Sequence, residues 1–232
     1  TGSTPSRVVK EYYNGNNLWI TSGELNYNLI NQTFEQITDQ AIKDTNLVLY
    51  PPGTLFIAIT GLEAPGTRGK CAINIIPSTT NQSCLAFRKV KSVDTYFMFF
   101  WYLKYGIPLY FKYAQGTKQQ SFNNKIVEKF KIFIPSKPEQ QKIATFLTSV
   151  DSKIEKLDKK KELLSKYKKG LMQKIFSQAI RFKADDGSNY PDWEETNFGN
   201  ICTIKRGASP RPISSPKWFD SNSSIGWVRI SD

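Results

Sequence analysis

The chain has 232 residues, 39% of them hydrophobic and 13% aromatic, enough for a packed core of one large or two modest domains. Its most apolar stretch, Tyr96 to Tyr113, is broken by Lys104, Gly106, Pro108 and Lys112, which excludes a membrane span. Cys71, Cys84 and Cys202 are far apart, and the chain has no histidine, which speaks against a zinc site or a disulfide framework and fits a reducing cytoplasm.

The net charge is +12, and it is unevenly spread. Residues 1–136 hold 14 Lys+Arg against 8 Asp+Glu, residues 137–178 hold 11 against 5, and residues 179–232 hold 7 against 7. The two basic segments point to a polyanion such as nucleic acid; a lysine-rich solvated surface would give the same totals, so charge alone does not separate the two.

In chain order, LWIT (18–21), TLFIAI (54–59), CAINII (71–76) and CLAFRKV (84–90) read as strands, with YPPG, APGTRG and PSTTNQS as the turns between them. TFEQITDQAIK (33–43) has Phe34, Ile37 and Ala41 at helical spacing and predicts a short helix. The aromatic run Tyr96–Tyr102 fits helix or strand. FKIFIP (130–135) is expected to close the domain as a strand that ends at Pro135. The pattern as a whole predicts an α+β fold, a mixed, mainly antiparallel domain.

SKPEQQKIATFL then opens the clearest element. Ser136 and Glu139 have the spacing of a capping box, and Pro138 falls in the first turn, where its missing donor is harmless. Ile143, Leu147, Val150, Ile154, Leu157, Leu164, Leu171 and Ile175 follow in steps of four, three and seven, with Lys161 and Lys168 at the two remaining seam positions. This heptad period predicts a long helix with another helix as its partner. At about 1.5 Å per residue the element would be roughly 60 Å long.

The two ends of the chain echo each other. GSTPS at 2–6 answers GASPR at 207–211, the pair at 12–13 answers that at 218–219, and LWITSG around Trp19 answers GWVRIS around Trp227. The offset is far longer than a solenoid period and indicates a duplicated domain. Ahead of Gly207 stands ICTIK, read as a short strand; ahead of Gly2 there is only Thr1, and no initiating Met. The expectation is a piece of a longer protein. Residues 1–136 are a domain without its first strand, 137–180 a spacer helix, and 181–232 a linker and the start of a second copy.

The run IPSKPEQQKIATFLTSVDSKIEKLDKKKELLSKYKKGLMQKIF, with GSTPS ahead of an aromatic pair and a tryptophan strand, resembles the specificity subunit of type I restriction-modification systems. The resemblance extends over essentially the whole chain. It is strongest at 134–176 and at the two GxxP starts, and weak inside 25–125. It implies two target recognition domains reading the halves of a bipartite DNA sequence, held apart by two antiparallel helices. It also implies modification subunits that carry the methyltransferase, and restriction subunits that carry the motor and nuclease. S-adenosylmethionine, ATP and Mg would sit on those partners, with no cofactor here. Because no second long helix follows, the seam is expected to pair antiparallel with the same helix of another copy.

The residues independently argue against chemistry in this chain. YPPGT is not a D/N-P-P-aromatic methyltransferase stretch. Gly61 and Gly66 have Walker spacing, but Thr67 and Arg68 follow where Lys and Ser/Thr are needed. Asp151–Lys153 and Asp158–Lys160 are D-x-K triplets that could suggest a metal-dependent nuclease, but they lie on the long helix without an upstream carboxylate pair and are read as a solvated charge face. No residue is assigned a catalytic or metal-ligating role. Base reading needs amides, hydroxyls and arginines, and phosphate contact needs lysines. Those types gather in four polar loops, giving as DNA-binding candidates Ser3, Thr4 and Arg7; Arg68 and Lys70; Thr80, Asn81 and Gln82; and Lys118, Gln119, Gln120 and Asn123. Any one loop is by default plain surface. Trp19 and Trp227 are expected to pack, not to stack on bases. Two other readings remain open from sequence: the recognition module of a single-chain methyltransferase-nuclease, and a coiled-coil adaptor with no DNA role.

Overall fold

The computed structural model describes residues 1–88 and 91–229. It divides into two compact units, Thr1–Lys166 and Tyr167–Asp232.

The first unit holds two small sheets. In one, β1 (Asn17–Ile20) lies between β3 (Gln36–Ile37), antiparallel, and β6 (Ser78–Thr80), parallel, with Trp19 opposite Thr79. In the other the order is β2 (Asn28–Ile30), β5 (Cys71–Asn74), β4 (Leu55–Ala58), β7 (Cys84–Phe87). There β2 runs parallel to β5, while β4 runs antiparallel to β5 and β7. The expected mixed, mainly antiparallel architecture is what forms. Every residue of β4 and of β5 is buried, so their unbroken apolar runs mark the central strands. Asn74, the polar exception, is fully buried and satisfied: its Nδ2 donates to Ser78 Oγ (2.8 Å) and its Oδ1 accepts from the Thr54 amide (2.7 Å), tying the second sheet to the first.

The aromatic run resolves as helix. α2 (Thr95–Tyr113) is capped by Asp94, whose carboxylate accepts from the Tyr96 and Phe97 amides, and it buries Phe99, Tyr102, Gly106, Leu109 and Tyr110 at helical spacing against the second sheet. Gly106 lies back to back with Gly69, since a Cβ on either would come within 2.8 Å of the other segment's backbone.

Several local expectations are corrected. The helix expected over 33–43 begins only at α1 (Asp39–Asp44), because Thr38 caps it through the Ala41 amide and Gln36–Ile37 pair with β1. Phe34, counted on its apolar face, is 87% exposed. FKIFIP forms no strand: no edge among the described residues pairs with it, and Phe133 is 98% exposed. The strand expected at 84–90 ends at Phe87, and its Lys89 and Val90 lie outside the described residues. PSTTNQS is not all loop, since its centre is β6.

α3 (Asn124–Val127) leads to α4 (Lys137–Phe176), whose 40 residues confirm the long helix. It is rooted on the domain by Gln140, which is 1% exposed. Gln140 Oε1 accepts from the Asp94 amide (2.8 Å), and its Nε2 donates to the carbonyls of Ser92 (3.1 Å) and Pro135 (2.9 Å). Ala144, one turn on, is the other buried residue of the helix. From Val150 to Leu164 the apolar seam residues are exposed, Val150 at 40%, Ile154 51%, Leu157 52% and Leu164 55%, while Ile143, Leu147, Leu171 and Ile175 are half-buried.

In the second unit Arg181 pairs with Asp192 (2.9 Å) and the rings of Phe176 and Trp193 meet edge to face. The strand expected at ICTIK does not form: Ile201 ends the short helix α5 (Phe198–Ile201), and Ile204 is 73% exposed, with no neighbouring strand to pair with among the described residues. Ile230 and Ser231 of the GWVRIS echo lie outside the described residues. Among the described residues no helix is long and apolar enough to cross a membrane, and no group of three or more His, Cys, Asp or Glu side chains could hold a metal ion.

Candidate nucleic-acid interface

The four polar loops are far apart in sequence, and the fold links them in one hydrogen-bonded series. Thr4 Oγ1 donates to Gln82 Oε1 (2.7 Å), and the Gly2 amide donates to the Asn81 carbonyl (3.1 Å), so the N-terminal strap runs beside the end of β6. Gly2 is needed there because a Cβ would stand 1.5 Å from the Thr80 carbonyl oxygen. The next residue, Ser83, accepts the Ile59 amide (2.9 Å), and Ile59 accepts the Phe122 amide (2.8 Å). The Leu62 amide donates to the Gln120 carbonyl (3.0 Å), and the Gln120 amide donates to Glu63 Oε2 (2.8 Å). Arg68 closes the series, with Nε donating to the Leu62 carbonyl (3.1 Å) and its guanidinium 4.2 Å from the centre of the Tyr110 ring.

Within this rim the candidates differ in what they are free to do. Lys118 and Gln119 are exposed and make no hydrogen bond or ion pair among the described residues, so their ammonium and amide are open to a ligand. Thr4 and Gln82 are exposed but hold each other, and Asn81 Oδ1 accepts the Ser83 amide (2.9 Å). Gln120 accepts the Tyr110 hydroxyl. Asn123 caps α3 through the Ile126 amide (2.9 Å), a structural use of its side chain. Lys70 Nζ donates to Asn26 Oδ1 (2.7 Å) and lies over the Tyr27 ring. Arg7 forms a double hydrogen bond with Glu35, which holds that carboxyl below its ordinary range, so its charge is already met. Ser3 is half-buried, and its carbonyl accepts the Trp19 indole N–H (3.2 Å). Thr80 leaves the surface set: it is fully buried, and its hydroxyl donates to the Ile20 carbonyl (2.9 Å), because β6 pairs with β1.

The structure adds a group that periodicity passed over. Gly23 to Phe34 shape a concave surface lined by Asn26, Asn28, Asn31 and Gln32, joined to the rim through the Asn26–Lys70 contact. Glu24 forms its frame, accepting the Thr21 amide (2.5 Å) with one oxygen and the Phe34 amide (3.0 Å) with the other. The signal was the amide-rich run NYNLINQ, which has no apolar period and so was assigned no element. Cys71 and Cys84 are buried beside this machinery, and burial pushes both thiols up to about 12, leaving them protonated and inert at neutral pH.

Comparison with known proteins gives the family of the chain. The family model described as the type I restriction modification DNA specificity domain matches residues 1–165. The type I restriction enzyme MjaIX specificity subunit of Methanocaldococcus jannaschii is 28% identical over 241 aligned positions, spanning 99% of this chain and 54% of that subunit. The putative MjaX specificity subunit of the same organism is 36% identical over 114 positions, 45% of this chain and 27% of that subunit. This chain thus spans about half the length of the relative it matches from end to end. Two solved structures share the fold. One is a chain from a study of complex assembly and conformational transition of the type I R-M system (TM-score 0.55, 15% identity, 77% of this chain and 42% of that one). The other is the type I restriction-modification S subunit from M. genitalium (TM-score 0.50, 16% identity, 77% and 42%). With its fold and more than two thirds of its length matched, this chain belongs to the type I restriction modification DNA specificity domain family.

Proposed function

We propose that this chain reads DNA sequence as part of a specificity subunit. On this reading the first domain takes one half of a bipartite site, the start of a second such domain lies at 181–232, and residues 137–180 set the distance between them. The carrying observation is the convergence of four polar loops, from residue 4 to residue 120, into one linked rim in a basic domain. Lys118 contacts phosphate, where an unpaired ammonium is most useful, and Gln119, Gln82 and Thr4 offer amide and hydroxyl groups to base edges. The rim supplies no reaction. Methyl transfer, with S-adenosylmethionine, belongs to modification subunits docked on this frame, and ATP- and Mg-dependent cleavage to restriction subunits beyond them, in the cytoplasm. The compared relatives are separate specificity subunits by name, so nothing favours a single-chain methyltransferase-nuclease.

The test is methylation. Full-length parent protein mixed with a modification subunit should methylate one bipartite sequence, read out by sequencing modified sites; methylation without sequence preference would overturn the reading. The 232-residue chain alone should bind duplex DNA weakly, with affinity falling steeply as salt rises, since half a reader makes only part of the contacts. Lys118→Glu should weaken this binding and lower the salt slope by about 1. Lys70→Glu should also weaken it, through loss of the Asn26 contact that holds the amide-lined surface to the rim.

The apolar positions of the long helix taken alone would let a second, antiparallel copy of this chain fill the bare seam.

A further inference from the structure

The loop between β2 and β3 holds a phenylalanine out in solvent and keeps two amides beside it unspent. Phe34 is 87% exposed; Asn31 and Gln32 are exposed and make no side-chain hydrogen bond among the described residues. All three line the hollow that runs from Gly23 to Phe34. The loop is braced from within. Ile30 and Ile37, buried at its two ends, belong to different sheets, and the Ile30 carbonyl accepts the Ile75 amide (2.9 Å). Between them the Phe34 amide donates to Glu24 Oε1 (3.0 Å), Thr33 Oγ1 donates to the Glu35 carbonyl (2.6 Å), and the Glu35 carboxylate accepts from Arg7. The other amides of the hollow are already engaged: Asn26 Oδ1 accepts from Lys70 Nζ (2.7 Å), and Asn28 Oδ1 accepts the Asn26 amide (2.9 Å).

The chemistry of these three groups selects a partner. An amide side chain carries a donor and an acceptor side by side. In the major groove adenine presents the matching pair, an N7 acceptor next to an N6 donor, whereas guanine presents two acceptors and cytosine one donor. A phenyl ring offers no polar group, and a ring held in water gains by meeting an apolar one. The apolar group of the major groove is the thymine C5 methyl. Amide and ring together therefore match an A·T pair, and a G·C pair has nothing to answer the ring. The Glu24 carboxylate in the wall of the hollow disfavours a phosphate there, so this surface suits base edges and leaves the backbone to neighbouring cations such as Lys70.

We propose that the loop at 31–34 reads one A·T pair of the target in the major groove. Asn31 and Gln32 supply the amide that meets adenine N6 and N7, and Phe34 packs on the methyl of the paired thymine. The inference rests on the DNA-reading function proposed above and names a base pair and the side chains that select it. These are specificity-determining residues: they touch base edges and take no part in methyl transfer. The brace explains how so short a loop can discriminate. With Phe34 tied to Glu24 and Glu35 tied to Arg7, the ring and the amides are presented in one arrangement, and little ordering is left to be done on binding.

Full-length parent protein with a modification subunit, read out by sequencing methylated sites, gives the motif of the original and of each variant. N31A/Q32A should accept other pairs at one A·T position about tenfold more readily and keep every other position. That position is then rebuilt in a synthetic duplex with uracil in place of thymine, which removes the methyl alone. The original should lose about fourfold in affinity, the worth of one buried methyl. Phe34→Leu, which stays apolar, should lose a similar factor, and Phe34→Ala should bind both duplexes equally. The altered side chains are exposed, so each variant should keep the circular dichroism of the original. A defined motif that N31A/Q32A leaves unchanged, a relaxed position that is G·C, or an equal uracil effect in the original and Phe34→Ala would overturn this inference and leave the DNA reading standing. An original that methylates without any motif would bring down the DNA reading, and this inference with it.

Discussion

The same short motif stands in two settings in this molecule, and only one of them buries it. At the N-terminal end a 3-10 turn (Lys10–Tyr13) presents Tyr13 to Trp19 at 5.8 Å between ring centres; at the C-terminal end a 3-10 turn (Pro216–Trp218) is followed by Phe219, which meets Trp227 at 5.5 Å. A cation attends each tryptophan, Arg7 over the first and Arg229 over the second. Yet Trp19 is 2% exposed and Trp227 36%. The turn and the aromatic pair are local consequences of local sequence. Burial is not: Trp19 sits in β1, flanked by β3 and β6, whose residues come from 17 to 61 positions downstream, and among the described residues no strand flanks Trp227.

The largest test of that difference is to truncate both tryptophans. Trp19→Ala should cost about 3–5 kcal/mol, the usual range for removing a buried aromatic and leaving its cavity, and should unfold much of the small cluster with Ile37, Ala41 and Leu47. Trp227→Ala in the same chain should change stability by less than about 1 kcal/mol. Urea titration followed by far-ultraviolet circular dichroism reads both; equal losses would mean that the C-terminal segment is as firmly built as the N-terminal one.

Neighbouring residues of one type on α4 sharpen the point at smaller scale. Gln140 is buried with three backbone partners, whereas Gln141 is exposed. Gln140→Ala orphans the Asp94 amide and the Ser92 and Pro135 carbonyls, and should cost about 2–3 kcal/mol. Gln141→Ala should be close to neutral. In hydrogen exchange the first change should also expose the start of α2, because Asp94 caps that helix and pairs with Lys137 at 3.7 Å; a Gln140 variant with unaltered protection at Tyr96 and Phe97 would show that the root is held by other contacts.

What the sequence disclosed follows the same division between local and distant causes. The heptad row and the buried runs LFIA and CAIN could be read directly, because helix period and unbroken apolarity are properties of a short window. The helix over 33–43 failed because Ile37 was claimed by a distant strand, leaving Thr38 to start α1. FKIFIP and ICTIK failed for the complementary reason: β propensity makes no strand without an edge to pair with. At the site, loop composition singled out residues that the fold does bring together, but could not tell Lys118, which has no polar partner among the described residues, from Arg7, which is spent on Glu35, or from Thr80, which is buried. Those distinctions depend on partners tens of residues away.

The smallest expected effect comes from the glycines that open the two echoing segments. Gly2 has Thr80 backbone where a Cβ would go, at 1.5 Å, and its amide donates to Asn81; nothing lies within 4 Å of the corresponding position on Gly207. Gly2→Ala must therefore lift the strap from β6, loosening the Gly2–Asn81 and Thr4–Gln82 bonds and the Ser3 carbonyl that accepts the Trp19 indole. Loss of those partly solvated bonds should cost about 1–2 kcal/mol. Gly207→Ala should lie within about 0.5 kcal/mol of the original. Because the strap carries Thr4 to the rim, Gly2→Ala should also weaken DNA binding more than its effect on stability explains, and Gly207→Ala should not. If Gly2→Ala left both stability and binding unchanged, the strap would be an ornament on β6 and not a part of the reader, and Thr4 would drop out of the rim with it.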